Sequence, residues 1–245
     1  MEYYVCMFLK KLKYFIFLIA CLLLVDQVHG QQKREKNKDA DLPPPRNIKV
    51  LDEHKDGKGN TVRTIEYLQA GSRITETVVI PATGRIGIHV PINPDTLNKD
   101  SLIIVVNKSH YILEVYYRRK IIRSYKAVFG PKPLENKNMA GDRCTPEGWF
   151  NILNKNPNSK YDKFMLLNYP NDSSITRFKI LKAKGSIPAS AQIGGDIGIH
   201  GIWRGGDDLI EKGVCWTDGC VALKNKDIED LYKLVNVGTK VYIKK

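Results

Sequence analysis

Short apolar or alternating runs predict strands through the middle of the chain. Leu102–Val106 is continuously apolar, and Ile112–Tyr117 follows as its expected hairpin partner. Ile121–Val128 alternates into a third strand before Gly130-Pro131. Runs of this length and spacing are typical of a domain that is built mostly from sheet.

Helical spacing of apolar residues occurs in one late segment. Asn225 is the predicted N-cap, and Asp227 in the first turn complements the helix dipole. The apolar face consists of Ile228, Leu231, Tyr232 and Val235. Gly238 stands where a C-terminal left-handed residue is expected, and Val241–Ile243 predicts a closing strand. The patterns together predict a fold that is mainly β with few helices.

The first 30 residues have the pattern of a secretory signal. Three lysines in the stretch 10–13 precede the apolar run Tyr14–Val25, and Gly30 follows at the expected cleavage point. The run is shorter than the roughly 20 residues that span a membrane. We therefore expect residues 1–30 to be a signal peptide and the protein to be secreted into the periplasm or cell envelope. An uncleaved anchor and lipidation at Cys21 are the alternatives.

Composition changes twice between this signal and the central strands. Residues 31–47 are polar, with three consecutive prolines near their end, which predicts a semi-rigid linker. Residues 48–100 are β-rich, because Ile48–Leu51 and Thr61–Ile65 flank a glycine-containing turn. We expect this segment to be an N-terminal extension of a catalytic domain at 101–245.

The net charge of the chain indicates which classes of binding partner to expect. The 245 residues include 39 Lys+Arg and 26 Asp+Glu, a formal net charge of +13, and 42% apolar residues, which excludes wholesale disorder. A basic exported protein is attracted to anionic wall polymers and lipid head groups, so we expect proximity to the envelope membrane. The charges are spread without a basic helix, and nucleic acid is not an expected partner. The patterns carry no signal for an oligomeric state.

Candidate chemistry is concentrated around two cysteines and one histidine. A zinc site at Cys215 and Cys220 needs four ligands, and His200 is the one nearby addition, so the sequence indicates neither a metal nor a cofactor. A Cys215–Cys220 disulfide is an alternative in an oxidising compartment. Nucleophilic catalysis is the interpretation we favour. Gly219 lets the backbone bend so that amide N–H groups face an oxyanion, and His200 is the candidate base for the Cys220 thiol.

Several segments carry a resemblance to a known family. In chain order they are Gly141–Gly148, Asn168–Asn171, Ile199-His200-Gly201 and Thr217–Val221. Together they resemble the signature of the L,D-transpeptidase catalytic domain family across about residues 101–244. The resemblance implies a β-sandwich or mixed-sheet catalytic domain that acts on peptidoglycan stem peptides. It also implies a Cys220 nucleophile, with His200 acting as base and acid in turn.

The same resemblance implies supporting roles near the catalytic pair. Backbone N–H groups around Gly219 would hold the oxyanion, and Gly201 would supply a backbone contact and a close approach. Thr217 would hydrogen-bond within the site or orient His200, with a plain turn role as the alternative. Trp203 and Trp216 would line the substrate groove or pack in the core or a lid. Cys144 has no assigned role.

One position departs from the common pattern of the family. Ala222 stands two residues after Cys220, where most members have an arginine, a natural partner for a stem-peptide carboxylate. A subset resembling Trp-Thr-x-Gly-Cys-Ile-Ala-Leu-x-Asn shares the alanine and includes an enzyme type that detaches lipoprotein from peptidoglycan. We expect a cysteine acyl-transferase that crosslinks or remodels the cell wall. A hydrolase using the same Cys/His pair and a non-catalytic wall-binding module are the alternatives.

Overall fold

Strands dominate the part of the chain that the computed structural model describes, residues 43–82 and 86–245. The predicted signal peptide and residues 31–42 of the predicted linker lie outside the described residues. None of the helices within these described ranges is long and apolar enough to cross a membrane.

Eleven strands and three α-helices are found in these ranges. The strands are β1 (Arg46–Lys55), β2 (Thr61–Gln69), β3 (Ser72–Ile80), β4 (Leu102–Asn107), β5 (Ile112–Tyr117), β6 (Lys120–Lys126), β7 (Gly148–Ser159), β8 (Asp162–Leu167), β9 (Gly198–His200), β10 (Val221–Ala222) and β11 (Lys240–Lys244). The helices are α1 (Asp172–Ala183), α2 (Asp207–Lys212) and α3 (Asn225–Leu234), and Lys99–Ser101 forms one 3-10 turn.

The N-terminal strands form a sheet of their own, in the antiparallel order β1-β2-β3. Asp56 shapes the first turn, because its carboxylate accepts the backbone N–H groups of Lys58 at 2.8 Å and Asn60 at 2.9 Å. The inner face of this sheet is apolar and joins the hydrophobic core of the rest of the chain. Ile80 and Val78 pack there against the backbone of Gly213, so the sheet supports the segment that leads to Cys220.

The larger sheet has eight strands in the order β10-β9-β8-β7-β11-β4-β5-β6. Its β4-β5-β6 part consists of the two hairpins that the apolar runs predict. The C-terminal strand β11 lies between β7 and β4, parallel to β4 and antiparallel to β7. Just beyond β6, Val128 exchanges backbone hydrogen bonds of 3.0 and 2.9 Å with Ala222 of β10, which links the two edges of the sheet. The prediction of a mainly β, mixed-sheet fold with few helices is confirmed.

The helix ends differ from the sequence prediction. The N-cap of α3 is Lys224, and Asn225 is already helical, with its side-chain oxygen accepting the Ile202 N–H at 2.8 Å. The predicted N-cap was therefore wrong by one residue, because the Asn225 side chain serves a tertiary contact. The helix ends at Leu234, and Gly238, with φ +88°, lies in the following turn. Its apolar face nevertheless packs into the core, as the periodicity predicts.

Candidate active site

Parallel pairing of β9 with β10 places His200, the last residue of β9, beside the strand that directly follows Cys220. Ala222 pairs with His200 and Val221 pairs with the residue before it, so Cys220 lies level with Gly198. The Gly198 N–H donates to Cys220 Sγ at 3.4 Å, and Sγ lies 3.6 Å from the Asp196 carbonyl oxygen. The strand pair thus places the thiol and the imidazole on adjacent backbones, although 20 residues separate them in the sequence.

His200 lies in an aromatic box and is only 2% exposed. Tyr161 stacks on its ring at 4.9 Å, Phe164 lies parallel at 5.9 Å, and Trp216 meets it edge-on at 5.7 Å between ring centroids. Burial in these surroundings lowers the pKa of His200 to about 4, against the opposing effect of the Gly201 carbonyl. The imidazole is therefore neutral at physiological pH.

The tautomer of His200 follows from its hydrogen-bond partner. Its Nδ1 lies 2.6 Å from the carbonyl oxygen of Gly201, an atom that can only accept. Nδ1 therefore carries the proton, and Nε2 keeps the lone pair that a general base needs. Gly201 thus contributes a backbone contact to the His200 ring.

Gly201 also permits a close approach of three segments. A Cβ at this position would lie 2.6 Å from the Asn225 side-chain oxygen and 2.8 Å from the Tyr161 carbonyl oxygen. A larger residue would therefore push apart the strand that carries His200, helix α3 and the turn before β8.

Cys220 is a partly buried residue, and its thiol is protonated at rest. Burial raises its pKa to about 11, the Gly198 N–H opposes that rise, and the charge of Asp218 adds to it. The Cys220 thiol and the His200 imidazole are therefore both neutral at physiological pH.

Thr217 shapes the turn that presents the nucleophile. Its hydroxyl donates to the Cys220 carbonyl oxygen at 2.7 Å and accepts the Gly219 N–H at 3.3 Å. Its own N–H donates to the Phe129 carbonyl oxygen at 3.1 Å. These hydrogen bonds join Thr217 to the nucleophile turn and to Phe129.

Gly219 occupies a conformation and a space that exclude a side chain. Its φ is +121°, and a Cβ would lie 2.6 Å from the Cys144 carbonyl oxygen. The Gly219 N–H donates to the Thr217 hydroxyl at 3.3 Å, so this amide is already engaged within the turn.

The two tryptophans differ in their relation to the site. Trp216 is buried, and its Nε1 has no hydrogen-bond partner within the described part of the chain. Trp203 is half-buried and contacts Trp216 edge-on at 5.0 Å. Trp216 therefore packs directly on His200, and Trp203 supports that packing from the far side.

The structure bears on two alternative roles of the cysteines, a disulfide and a metal site. Cys144, Cys215 and Cys220 are all free thiols, so the Cys215–Cys220 disulfide is not formed. Burial raises the pKa of Cys215 to about 12, which makes this thiol unreactive. In the two described ranges, no three His, Cys, Asp or Glu side chains are grouped so that they could hold a metal ion.

Sequence reasoning missed three side chains of this site. Tyr161 and Phe164 box in His200, with Phe164 directly opposite it on β8, and Arg143 binds the turn before Cys220. In the sequence, Tyr161 and Phe164 belong to an ordinary strand region, and Arg143 is an isolated arginine. Their positions in the site become visible only from the register of β8 with β9 and from the contact of Arg143 with a residue 75 positions away.

Among solved structures, the chain is similar to an L,D-transpeptidase from Xylanimonas cellulosilytica, with 15% identity, 60% of this chain and 62% of that chain covered, and a TM-score of 0.36. It is also similar to Bdellovibrio bacteriovorus Bd1075, with 20% identity, 64% and 51% covered, and a TM-score of 0.41.

The chain thus spans less than two thirds of either structure. A search of curated proteins found no match. The family model described as YkuD, L,D-transpeptidase catalytic domain, matches residues 101–243, more than half of the chain. The match includes the strand pair that carries His200 and Cys220. The chain belongs to the L,D-transpeptidase catalytic domain family.

Proposed function

We propose that the protein is an active cysteine acyl-transferase, an L,D-transpeptidase that acts on peptidoglycan stem peptides. One observation carries the proposal: the thiol of the partly buried Cys220 lies beside the strand of a neutral, buried His200 whose Nε2 is free to accept a proton. Membership of a peptidoglycan-acting family supplies the substrate class.

In the first step, Cys220 Sγ attacks the carbonyl carbon of the third residue of a stem tetrapeptide. The thiol proton passes to Nε2 of His200, and the imidazolium is stabilised by the stacked face of Tyr161. His200 then returns the proton to the leaving amine of the terminal D-residue. The C–N bond breaks, and the acyl group remains as a thioester on Cys220.

Thr217 prepares the oxyanion donor for this step. The Thr217 hydroxyl accepts the N–H of the Asp218–Gly219 peptide group and donates to the carbonyl oxygen of the Cys220–Val221 peptide group. The intervening peptide, which carries the Cys220 N–H, is therefore fixed from both sides. A donor held in this way contributes about 3–4 kcal/mol to the stabilisation of a tetrahedral oxyanion.

In the second step, an acceptor releases the thioester. An amine from another stem gives a crosslink, and water gives hydrolysis. Ala222 is fully buried and pairs through its backbone with Val128, so this position offers no cation to hold the carboxylate of an acceptor stem. That observation favours hydrolysis, including release of wall-linked protein, as the second candidate.

We infer that this chemistry takes place outside the cytoplasmic membrane. The signal-like residues 1–30 and the net charge of +13 support export to an envelope whose wall polymers and lipid head groups are anionic. Cell fractionation of the host tests this point, with recovery in the envelope expected. Recovery in the cytosol would contradict it.

Product analysis tests the reaction. The purified protein is incubated with disaccharide-tetrapeptide beside two variants, Cys220→Ala and the matched control Cys215→Ala, which removes a buried thiol from the same segment. We expect a crosslinked dimer or loss of the terminal D-residue with the wild type and the control, and neither product with Cys220→Ala. Turnover that persists in Cys220→Ala would reject the mechanism.

Intact protein-linked peptidoglycan separates the two candidates. Release of protein from this substrate, with no change in the tetrapeptide, would select hydrolysis over transfer. If the protein binds both substrates and forms no product from either, the remaining interpretation is a non-catalytic wall-binding module.

A further inference from the structure

A cavity of about 220 Å³ lies between helix α1 and the segment 136–147. Helix α1 has no buried residue, so it meets the rest of the chain across this space instead of through close core packing. Phe178 and Leu181 give the helix side of the cavity an apolar surface, and polar side chains line the other side. The volume is below the roughly 300–1,000 Å³ of a pocket for a whole small molecule and suits one residue of a peptide.

Two of the charged side chains that line the cavity already have ionic partners. The ammonium group of Lys137 lies 2.8 Å from an Asp142 carboxylate oxygen, and the Lys137 side chain is only 4% exposed. On the same wall, the Glu147 carboxylate lies 2.8 Å from the fully buried ammonium group of Lys108. These charges are therefore compensated inside the protein.

Arg177 contributes a charge to the cavity that is not compensated in this way. One of its guanidinium nitrogens donates to the side-chain oxygen of Asn138 at 2.6 Å, and this acceptor is uncharged. Within residues 43–82 and 86–245, no carboxylate lies at ion-pair distance from Arg177. A guanidinium group has five N–H donors in a planar fork that matches a carboxylate. The bond to Asn138 thus orients the group and leaves donors for an anionic ligand.

The loop wall of the cavity also packs against the nucleophile turn. Asp142, which holds Lys137 in that wall, accepts the Cys144 N–H at 3.0 Å. The Cys144 carbonyl oxygen lies so close to Gly219 that a Cβ added there would approach it to 2.6 Å. Gly219 directly precedes Cys220, so the same short segment forms the cavity wall and supports the turn.

A second route leads from the cavity to the thiol itself. Tyr169 lines the cavity and donates its hydroxyl to the Ile193 carbonyl oxygen at 3.2 Å. Three residues later, the Asp196 carbonyl oxygen lies 3.6 Å from Cys220 Sγ. Three extended residues cover about 10 Å, and an extended tetrapeptide covers about 13–14 Å. A stem tetrapeptide is therefore long enough to lie along the segment 193–196 from the thiol to the cavity.

We propose that Arg177 binds a carboxylate of the stem peptide that Cys220 attacks, and that the cavity holds the residue carrying this carboxylate. The assignment rests on the proposed function for its substrate class. It makes Arg177 a residue that selects stems with a free carboxylate at one position. Two carboxylates have the required chemistry, the one on the second stem residue and the one on the terminal D-residue.

Ligand binding to a protein that cannot turn over the stem tests the proposal. The Cys220→Ala protein is titrated in a calorimeter with disaccharide-tetrapeptide and with two altered ligands. In one, the carboxylate of the second stem residue is an amide; the other is disaccharide-tripeptide, which lacks the terminal D-residue. Arg177→Gln is added to Cys220→Ala for the same titrations. Lys179→Gln in the same background is the matched control, because Lys179 is an exposed cation of the same helix that does not line the cavity.

The proposal predicts a loss that depends on both partners. Arg177→Gln weakens binding of disaccharide-tetrapeptide by about threefold to thirtyfold, a range between an exposed ion pair and a hydrogen bond to a charged group. Lys179→Gln changes the Kd by less than about twofold, because a solvated charge outside the cavity is screened. One altered ligand binds the Cys220→Ala protein more weakly by a similar factor, and that loss disappears when Arg177 is also replaced. The ligand that shows this pattern identifies the carboxylate.

Two results would overturn the proposal: an equal Kd for disaccharide-tetrapeptide in the Arg177→Gln and Lys179→Gln proteins, or losses for both altered ligands that are the same with and without Arg177. If Arg177→Gln fails to fold, equal binding of the three ligands to the Cys220→Ala protein rejects the proposal, as does the absence of binding by all three. A wild type that binds the tetrapeptide through Arg177 but forms no product would reject the proposed function and leave this assignment standing.

Discussion

Replacing Gly219 by alanine perturbs the nucleophile turn in a way that the structure quantifies. Gly219 has a φ of +121°, and the new Cβ would lie 2.6 Å from the Cys144 carbonyl oxygen and 3.0 Å from Ile197 Cδ1. Gly205 provides the matched control, because it has a φ of +83° and a Cβ added there would meet no atom within 4 Å. The two variants share backbone strain, and only Gly219→Ala adds steric overlap.

The expected energies follow from these two contributions. A non-glycine residue in a sparsely populated backbone region costs about 1–3 kcal/mol, and this applies to both variants. Overlap with a backbone carbonyl is not relieved by a side-chain rotation, and overpacking of this kind costs about 1–3 kcal/mol more. At about 2–4 °C per kcal/mol for a unit of this size, the total of about 2–6 kcal/mol lowers the Tm of Gly219→Ala by about 4–24 °C, and strain alone lowers that of Gly205→Ala by about half as much.

Thermal unfolding of the two variants beside the wild type measures this difference. Alkylation of Cys220 below the transition adds a local readout, and we expect a changed rate in Gly219→Ala and a wild-type rate in Gly205→Ala. Equal Tm shifts for the two variants would refute the claim that close packing against Cys144 shapes the turn.

Three further predictions concern buried polar groups. Because the pKa of His200 is about 4 in the folded state, the unfolded state binds one more proton than the folded state between about pH 6.5 and 4. The free energy of unfolding of the wild type therefore falls by about 2–3 kcal/mol as the pH is lowered through this window. Urea unfolding of His200→Gln should lack this loss, and a pH profile identical to that of the wild type would contradict the prediction. Burial raises the pKa of Asp142, but hydrogen bonds from Lys137 and from three backbone N–H groups outweigh this effect and lower the pKa. The carboxylate therefore stabilises the fold above its unfolded pKa near 3.8, and this stabilisation is lost as the pH falls through the folded pKa. Asp142→Asn should therefore cost about 1–3 kcal/mol at pH 7 and remove that acid-dependent loss, and equal urea midpoints at pH 7 would contradict this. Asn225→Ala leaves the Ile202 N–H without its partner and should cost about 1–3 kcal/mol in the same assay, whereas a loss below about 0.5 kcal/mol would show that another group satisfies that N–H.

The parts of the fold that follow from local patterns were predictable. Strand β4 alternates buried and half-buried residues along an apolar run, and β5 and β6 follow it as hairpins, so periodicity and turns identify all three. The His-Gly and Gly-Cys elements could be identified as a pair because each carries a local glycine signal. Their meeting depends on the parallel pairing of β9 with β10, which the local pattern does not predict.

Helix α1 shows where pattern reasoning fails. None of its residues is buried, so no apolar stripe marks it, although Asn171 caps its start by accepting the Ser174 N–H at 3.0 Å. A helix that lies entirely on the surface has no periodic apolar signal to detect.

The remaining features of the site arise from contacts between distant residues. Arg143 and Asp218 are 75 positions apart, and Phe164 meets His200 only through the register of β8 with β9. Neither contact has a signature in the sequence around its members. Such tertiary partners also explain the misassigned N-cap, because Asn225 satisfies Ile202 instead of its own helix.

Trapping the acyl-enzyme tests the central claim most directly. The purified protein is mixed with disaccharide-tetrapeptide, quenched in acid within seconds, and digested for mass spectrometry of the peptide Gly213–Lys224. We expect a hydroxylamine-sensitive disaccharide-tripeptide adduct on Cys220 and no adduct in Cys220→Ala. A folded wild type that forms no adduct with either the tetrapeptide or intact protein-linked peptidoglycan, or that carries one on Cys215 instead, would contradict it.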